Sequence, residues 1–191
     1  MKSIDLPGFD AKFANDPDPW RTFSDRDEAH KRSAILNALG AEPVGRVLEL
    51  AAGNGSNSVL LAKRALRLDA TEGTPSGVAL VKRAIGSNPR VRVQQLILPS
   101  RFPRARYDAI VIAEILYYLP TISMARVAGA VAATLRPGGA LVLAHHCVDY
   151  PDFAQPAEGI HEQFLIDTKV KWHRRTHVRT GRWRVQSFIR R

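Results

Sequence analysis

The sequence has 191 residues, of which 45% are hydrophobic and 24% charged. This length predicts a single domain, and the composition excludes an intrinsically disordered chain and a fibrous repeat. The formal net charge of +10 is compatible with an anionic partner such as nucleic acid or a phosphate, although a solvated basic surface is the simpler explanation.

Three features bear on the surroundings of the protein. The basic residues are concentrated in two stretches without acidic residues, 73–107 and 168–191. The single cysteine, Cys147, excludes an internal disulfide and is compatible with a reducing compartment. Residues 1–10 lack the apolar segment of a signal peptide, and no apolar run is long enough to span a membrane. We therefore expect a cytoplasmic protein.

The hydrophobic pattern predicts alternating helices and strands along the chain. Residues 11–21 are rich in Asp and Pro and predict a loop. The elements predicted after it are a helix at 25–39, a strand at 46–50, a helix at 58–65, a strand at 66–72, a helix at 76–85, strands at 91–96 and 107–113, a helix at 124–135, a strand at 140–145, a helix at 159–166, and a terminal hairpin of strands at 170–178 and 183–189. This order indicates a mainly parallel sheet with helices on both faces. We expect residues 1–40 to form an N-terminal loop and capping helix on a main domain of residues 41–191, in one compact unit.

The segment from Glu49 to Gly55 carries the most functional information. A predicted strand ends there in small residues and a helix follows, so a ligand can approach the backbone closely. A dinucleotide-binding fingerprint requires a third glycine, and Ser58 stands in that place. The segment is therefore a poor match to a dinucleotide site, and an ordinary glycine-rich turn is the other alternative.

The same segment resembles the first motif of class I S-adenosylmethionine-dependent methyltransferases, an acidic residue followed by G-x-G-x-G. Glu49, Gly53 and Gly55 match this motif, whereas Ala51 stands where the family usually has its first glycine. The resemblance implies a Rossmann-like α/β fold with a seven-stranded, mainly parallel sheet and an antiparallel C-terminal hairpin. It also implies S-adenosyl-L-methionine as the cofactor, held in part by these four residues.

The resemblance assigns the ribose and adenine positions as well. The family has an acid at the end of the second strand that accepts hydrogen bonds from the ribose hydroxyls, and Glu72, followed by Gly73, stands there. Asp69 is the alternative, but the alternation of the strand favours Glu72. After the third strand many members have an aspartate at the adenine, whereas this chain has Leu96 and Ile97. Apolar side chains and backbone groups would then hold the adenine.

Further matches point to one group within the family. The turn at 135–139 (LRPGG) is similar to the turn before the fifth strand of these enzymes, and residues 107–119 resemble the nodulation protein S group. That group N-methylates an amino sugar on a chitin-like oligosaccharide. The resemblance places Ala113 next to the cofactor, and it places Trp20 and Lys31 as an aromatic and a basic residue that close over it.

Methyl transfer to an amine requires a base, because a protonated amine has no lone pair for the attack. The candidates at the carboxyl ends of strands four and five are Glu114, Tyr118, His145 and His146, with Tyr117 either a further candidate or a core residue. Imidazole has the most suitable ordinary pKa, and only one of two adjacent histidines on a strand is expected to face the pocket. For the same reason the two histidines are a poor metal site, and no metal is predicted.

The predicted function is methylation of a small molecule, with the nitrogen of an amine or amino sugar as the acceptor. The alternatives are an O-methyltransferase, a nucleic-acid methyltransferase, and a protein that binds the cofactor without catalysis. Amino-directed nucleic-acid enzymes need an N/D-P-P-Y-type turn after strand four, and residues 113–116 read Ala-Glu-Ile-Leu. Nucleic acid and membranes are therefore not expected as partners, and the sequence leaves the oligomeric state open.

Overall fold

The computed structural model describes residues 3–191 and contains one seven-stranded sheet. The strands are β1 Val44–Leu50, β2 Ala65–Glu72, β3 Val91–Gln95, β4 Tyr107–Ala113, β5 Leu135–His146, β6 Trp172–Arg179 and β7 Trp183–Arg190. The helices are α1 Leu6–Asn15, α2 Arg26–Ala38, α3 Ser56–Arg64, α4 Pro75–Ile85, α5 Thr121–Thr134 and α6 Ile160–Asp167, with a 3-10 turn at Leu116–Tyr118. The strand order is β3-β2-β1-β4-β5-β7-β6, and β7 runs antiparallel to both of its neighbours. This topology confirms the predicted fold class.

The central strands are apolar on both faces, as a parallel sheet covered by helices requires. On β1, Val47 belongs to the core shared with α2, α3 and α4, whereas Leu48 belongs to the core shared with α5 and α6. Both side chains are fully buried. The parallel register brings the carboxyl ends of β1, β2 and β4 to one edge of the sheet, together with the end of β5.

The N-terminal segment corrects the prediction of a loop over residues 11–21, since α1 continues to Asn15. The Asp5 side chain caps this helix by accepting a hydrogen bond from the Gly8 N–H at 3.0 Å. Phe13 is buried, and its ring meets the Trp20 ring at 5.4 Å between centroids. Packing on α4 and on the Trp20 ring thus stabilises a helix that the local composition does not favour.

Several boundaries also differ from the predicted ones. β5 begins at Leu135 instead of residue 140, because a register shift lets Leu135 pair with Tyr107 ahead of the glycine-rich turn. α3 begins at Ser56 and α5 at Thr121, each two or three residues before the predicted start. α2 packs on α3 and β7, where the Trp183 indole N–H donates to Asp27 at 3.0 Å.

Part of one face and one edge of the sheet are exposed. Residues 96–106 connect β3 to β4 without a helix, so the adjacent face of β2 and β3 is left open at its amino end. At the other side, β6 is an edge strand whose Arg174, Arg175 and Arg179 are exposed. Within residues 3–191, no helix has the length and apolarity that crossing a bilayer requires.

Candidate active site

A cavity of about 570 Å³ lies at the carboxyl edge of the sheet. Its floor is formed by the segments that follow β1, β2, β4 and β5, the usual position of ligand sites in open α/β sheets. Its roof comes from the N-terminal segment, which contributes Leu6, Phe9, Phe13 and Trp20. A single chain segment thus separates the cavity from solvent on one side.

The structure brings most of the predicted site residues to this cavity. Those in its wall are Trp20, Lys31, Ala51, Gly53, Glu72, Gly73, Leu96, Ile97, Ala113, Glu114, Tyr118 and His146. Three predicted residues, Glu49, Gly55 and His145, do not line it.

The loop after β1 has a left-handed backbone at each of its three motif positions. The φ angles are +53° at Ala51, +60° at Gly53 and +87° at Gly55. Glycine adopts this conformation freely, whereas an L-residue does so at a cost of about 1–2 kcal/mol, so Ala51 is strained. A Cβ on Gly55 would lie 3.1 Å from the Val81 backbone, which gives Gly55 a role in helix packing instead of the cavity wall.

Glu72 presents a buried carboxylate to the cavity. One oxygen, Oε1, accepts from the Thr74 N–H at 2.9 Å and the Thr74 hydroxyl at 3.0 Å, and Oε2 accepts from the Gly53 N–H at 3.0 Å. A carboxylate has about four acceptor positions, so Oε2 retains one for a ligand. Burial raises the pKa of Glu72, although these hydrogen bonds oppose the rise. The alternative acid, Asp69, does not line this cavity.

Glu49 is buried beneath the loop. The Ser58 hydroxyl donates to its Oε2 at 2.6 Å, and Oε1 has no partner among the described residues. Burial raises the pKa of Glu49 to about 8 despite this hydrogen bond. Glu49 is therefore mostly protonated at neutral pH and links β1 to α3 through Ser58.

Glu114 is the centre of a hydrogen-bond network at the end of β4. Its Oε1 accepts from Lys31 Nζ at 2.5 Å. Its Oε2 accepts from His146 Nδ1 at 2.9 Å, from the His146 N–H at 3.2 Å, and from the Tyr117 hydroxyl. Its backbone is also left-handed, with φ +54°. Strain of this kind persists where the surroundings fix the conformation, commonly at functional sites.

The charge state of Glu114 determines the tautomer of His146. Burial would raise the pKa of Glu114, but the Lys31 charge and the His146 hydrogen bond outweigh burial and hold the pKa well below its usual range. An ionised carboxylate only accepts hydrogen bonds, so Nδ1 of His146 carries the proton. In the neutral ring, Nε2 then has the lone pair.

Four donors contact the Glu114 carboxylate, three of them at Oε2 and Lys31 Nζ at Oε1. Its lowered pKa makes Glu114 a weak proton acceptor, and a role for it as the base stays a prediction. Lys31, 3% exposed, lies between Glu28 at 2.7 Å and Glu114. Its pKa is raised, because the two carboxylates outweigh the effect of burial. Both carboxylates bind the ammonium group of Lys31, so Lys31 acts as a positioning residue for Glu114.

His145 belongs to a second network on the opposite side of β5. Its Nε2 accepts from the Leu116 N–H at 3.2 Å, so its Nδ1 must donate to His161 Nε2 at 2.9 Å. His161 Nδ1 in turn donates to Gln186 Oε1 at 2.6 Å. Burial lowers the pKa of His145 well below its usual value and that of His161 to about 3. His145 is sealed and neutral, which rules it out as a base for a substrate in the cavity.

Aromatic rings surround the part of the cavity next to His146. Tyr118 meets Phe9 at 4.9 Å and Phe153 at 5.0 Å between ring centroids, both edge to face. Tyr150 lies 6.0 Å from the His146 ring and 5.5 Å from the Phe153 ring. Burial raises the pKa of Tyr118, so its hydroxyl stays protonated.

The cavity is acidic although the chain is strongly basic. Seven carboxylates line it, against two fixed positive charges, Lys31 and Arg182. The carboxylates are those of Asp5, Asp25, Asp27, Glu28, Glu72, Glu114 and Asp152. This distribution favours a ligand with positive charge.

Some functional residues were not found from the sequence. Glu28 bonds Lys31 at helical i, i+3 spacing, a signal that the sequence does contain. Asn54 anchors the roof: its amide donates to Pro17 O at 3.1 Å and Asp18 at 2.9 Å, and its carbonyl accepts from Thr22 at 3.0 Å. These partners lie more than 30 residues away from Asn54, and no local pattern predicts them.

Comparisons with known proteins agree with this geometry. Residues 47–139 match the family model of a methyltransferase domain. Nodulation protein S of Rhizobium tropici is 28% identical over 127 residues, which cover 65% of this chain and 53% of that relative. The match therefore spans about half the length of the relative.

Solved structures show the same fold. The N-methyltransferase NodS of Bradyrhizobium japonicum WM9, in complex with S-adenosyl-L-homocysteine, has a TM-score of 0.84 and 21% identity, with 97% of each chain covered. An O-methyltransferase family protein of Burkholderia thailandensis has a TM-score of 0.72 and 17% identity, with 94% of this chain and 62% of that chain covered. The family model, the sequence relative and the fold agree that the chain is similar to methyltransferases, nodulation protein S among them.

Proposed function

We propose that the chain transfers the methyl group of S-adenosyl-L-methionine to the nitrogen of a small cationic amine, with amino sugars as the favoured class. The observation that carries the proposal is the His146 imidazole, whose Nδ1 is fixed on Glu114 while the ring lines the cavity. The name N-methyltransferase, given to the solved structure of NodS, supports the same acceptor atom.

The residues of the cavity fit this cofactor. Glu72 keeps one acceptor position for a ribose hydroxyl, and Leu96 and Ile97 offer an apolar wall for the adenine. A Cβ on Gly53 would project to 3.6 Å from the Phe13 ring, so glycine leaves room between loop and roof. The bound cofactor supplies a methyl group on a positively charged sulfur.

His146 is the base in this proposal. The acceptor amine must lose a proton before its nitrogen can attack, and Nε2 of His146 takes that proton. Glu114 fixes the ring in the tautomer with a free Nε2, and it stabilises the imidazolium that forms. Lys31 and Tyr117 hold Glu114 in place, so that one carboxylate positions the base without contacting the substrate.

Charge and aromatic surface favour a cationic acceptor. An ammonium group is attracted both to the carboxylates of the wall and to the faces of aromatic rings, and Glu28 lies 3.7 Å from His146 Nε2. Tyr118 and Phe153 form the nearby aromatic surface. An anionic substrate such as RNA would be repelled by the same wall.

The N-terminal segment orients the reactants and excludes water. It is tied to the main sheet through Asn54, and the Ser76 N–H donates to Asp10 at 2.9 Å. Holding two reactants in line contributes roughly 7–11 kcal/mol to catalysis when the geometry is good. We place this activity in the cytoplasm, and the free thiol of Cys147 supports a reducing compartment.

The test is methyl transfer to a panel of amines, amino sugars, phenols and RNA. We expect amines and amino sugars to be methylated, with a loss of about 100- to 10,000-fold in the His146→Gln variant, because general-base catalysis contributes that much. His30→Gln is the matched control, since His30 is exposed on α2. Its activity should equal that of the wild type.

Three results would contradict the proposal. Preferential methylation of phenols or RNA would indicate one of the alternative enzymes. Full amine activity in the His146→Gln variant would show that His146 is not the base. Cofactor binding by calorimetry without transfer to any acceptor would indicate a binding protein.

A further inference from the structure

A second pocket, of about 220 Å³, lies at the opposite, amino edge of the sheet. It occupies the face of β2 and β3 that residues 96–106 leave without a helix. Its lining contains five arginines and one carboxylate, Asp69, a net charge of +4. The arginines are Arg46, Arg67, Arg90, Arg92 and Arg104.

The register of the strands explains why these charges converge. Arg46 pairs with Arg67 across β1 and β2, and Asp69 pairs with Arg92 across β2 and β3. Arg67 and Asp69 are two residues apart on one strand, so all four side chains share one face. Like charges at directly opposite positions destabilise a sheet. Arg46 and Arg67 form such a like-charge pair, whose repulsion a bound anion would offset, whereas Asp69 and Arg92 carry opposite charges.

The single carboxylate does not neutralise the pocket. Asp69 accepts a hydrogen bond from the Tyr107 hydroxyl at 3.1 Å, and its nearest arginine nitrogens are 3.7 Å away on Arg46 and 3.9 Å away on Arg104. Among the residues that the structure describes, Arg67, Arg90 and Arg92 have no carboxylate within 4.0 Å. Arg67 Nη1 donates to the Leu66 carbonyl at 3.0 Å, and its other N–H groups and the guanidinium groups of Arg90 and Arg92 are available to a ligand.

We propose that this pocket binds a compact phosphorylated small molecule through a diphosphate group. Guanidinium groups bind phosphate oxygens in pairs of parallel hydrogen bonds, and several of them around one concavity match several negative charges on one ligand. The lining contains no aromatic residue, so a single-stranded nucleic acid would find no ring on which its bases could stack. The volume and concave shape also favour a compact anion over a polymer.

The experiment is calorimetric titration with inorganic pyrophosphate at about 0.15 M ionic strength in a phosphate-free buffer. The pocket variant is Arg67→Ala with Arg92→Ala. The control is Arg83→Ala with Arg126→Ala, which removes the same charge from two exposed helical arginines. We expect the pocket variant to bind pyrophosphate at least about tenfold more weakly than the wild type, and the control within about twofold.

Further titrations identify the source of the diphosphate, and a second pair of variants controls for loss of stability. Tighter binding of ADP than of pyrophosphate supports a nucleotide, and equal binding supports the diphosphate alone. If alanine lowers the melting midpoint, Arg67→Gln with Arg92→Gln keeps the side-chain stems and repeats the measurement. No binding to the wild type, an equal loss in both double variants, or tighter pocket-dependent binding of an RNA oligonucleotide overturns the proposal.

Discussion

The adjacent histidines at the end of β5 lie in two separate hydrogen-bond networks that differ in one respect. On the cavity side, the Glu114 carboxylate fixes Nδ1 of His146, and the ring stays in the cavity wall. On the other side, His145 and His161 use every ring nitrogen within a buried relay that ends at Gln186. The open network can exchange a proton with a ligand, and the sealed one cannot. The difference teaches that spare hydrogen-bonding capacity, more than residue type, marks a site.

The largest effect is expected from a change that disrupts the open network. Glu114→Gln removes the charge that selects the His146 tautomer, and we expect kcat to fall about 100- to 10,000-fold. Glu114→Asp, which keeps the charge, should retain more activity than the glutamine variant. Steady-state kinetics measure both, with Glu158→Gln as an exposed control. Equal losses in the aspartate and glutamine variants would indicate a merely structural role.

The sealed network should make stability depend on pH. The folded pKa of His161 is about 3, below its ordinary value of 6.5. Above pH 6.5 both states are neutral; below it the unfolded chain takes up a proton that the folded chain excludes. Stability then falls by about 1.4 kcal/mol per pH unit for each such histidine, down to the folded pKa.

Urea unfolding between about pH 6.5 and 4.5 measures this dependence. In the His161→Gln variant, the unfolding free energy should depend less steeply on pH than in the wild type, by the uptake of about one proton on unfolding. The variant His177→Gln, at an exposed position on β6, should keep the slope of the wild type. The difference between variants is informative because Glu49 acts in the opposite direction. Its raised pKa of about 8 makes stability fall as pH rises from 4.5 toward 8. Identical slopes in wild type and His161→Gln would show that the relay does titrate while folded.

Glu72 sharpens the comparison, because it is buried like His145 yet keeps one free acceptor position. Glu72→Ala should weaken the binding of S-adenosyl-L-homocysteine about 10- to 100-fold, as expected for a hydrogen bond to a charged group. Calorimetry measures this loss, and Glu42→Ala provides an exposed control. Unchanged affinity in a folded Glu72→Ala variant would refute the assigned position of the ribose.

The smallest effect is expected at Ala51, in the loop after β1 that lines the cavity. Ala51→Gly relieves the cost of a left-handed alanine but makes the unfolded chain more flexible, so we expect a net gain of up to about 1 kcal/mol in unfolding free energy. Ala130→Gly, in the interior of α5, should instead lose about 1 kcal/mol. Urea titrations measure both, and destabilisation of the same size at both positions would show that Ala51 is not strained.

Periodicity and motif spacing predicted most of the fold and the edge that carries the site. The alternation of strands and helices predicted the sheet. The resemblance to the methyltransferases, with the alternation of β2, singled out Glu72, which lines the cavity. The alternation of β5 predicted that one histidine faces the cavity, but the choice of His146 depends on partners in other elements. The helix over residues 11–15 was missed because tertiary packing stabilises it. The contact of Lys31 with Glu114 was not predicted, because the two residues lie 83 positions apart in the sequence.

The exposed arginines of β6 have a consequence for the behaviour of many copies together. An edge strand offers unpaired backbone groups to any other extended chain, and a second β6 would bring its own row of like charges into register with the first. Repulsion between Arg174, Arg175 and Arg179 of two molecules therefore disfavours pairing of one β6 edge with another. Salt screens such repulsion, so the arginines of β6 favour solubility most at low ionic strength.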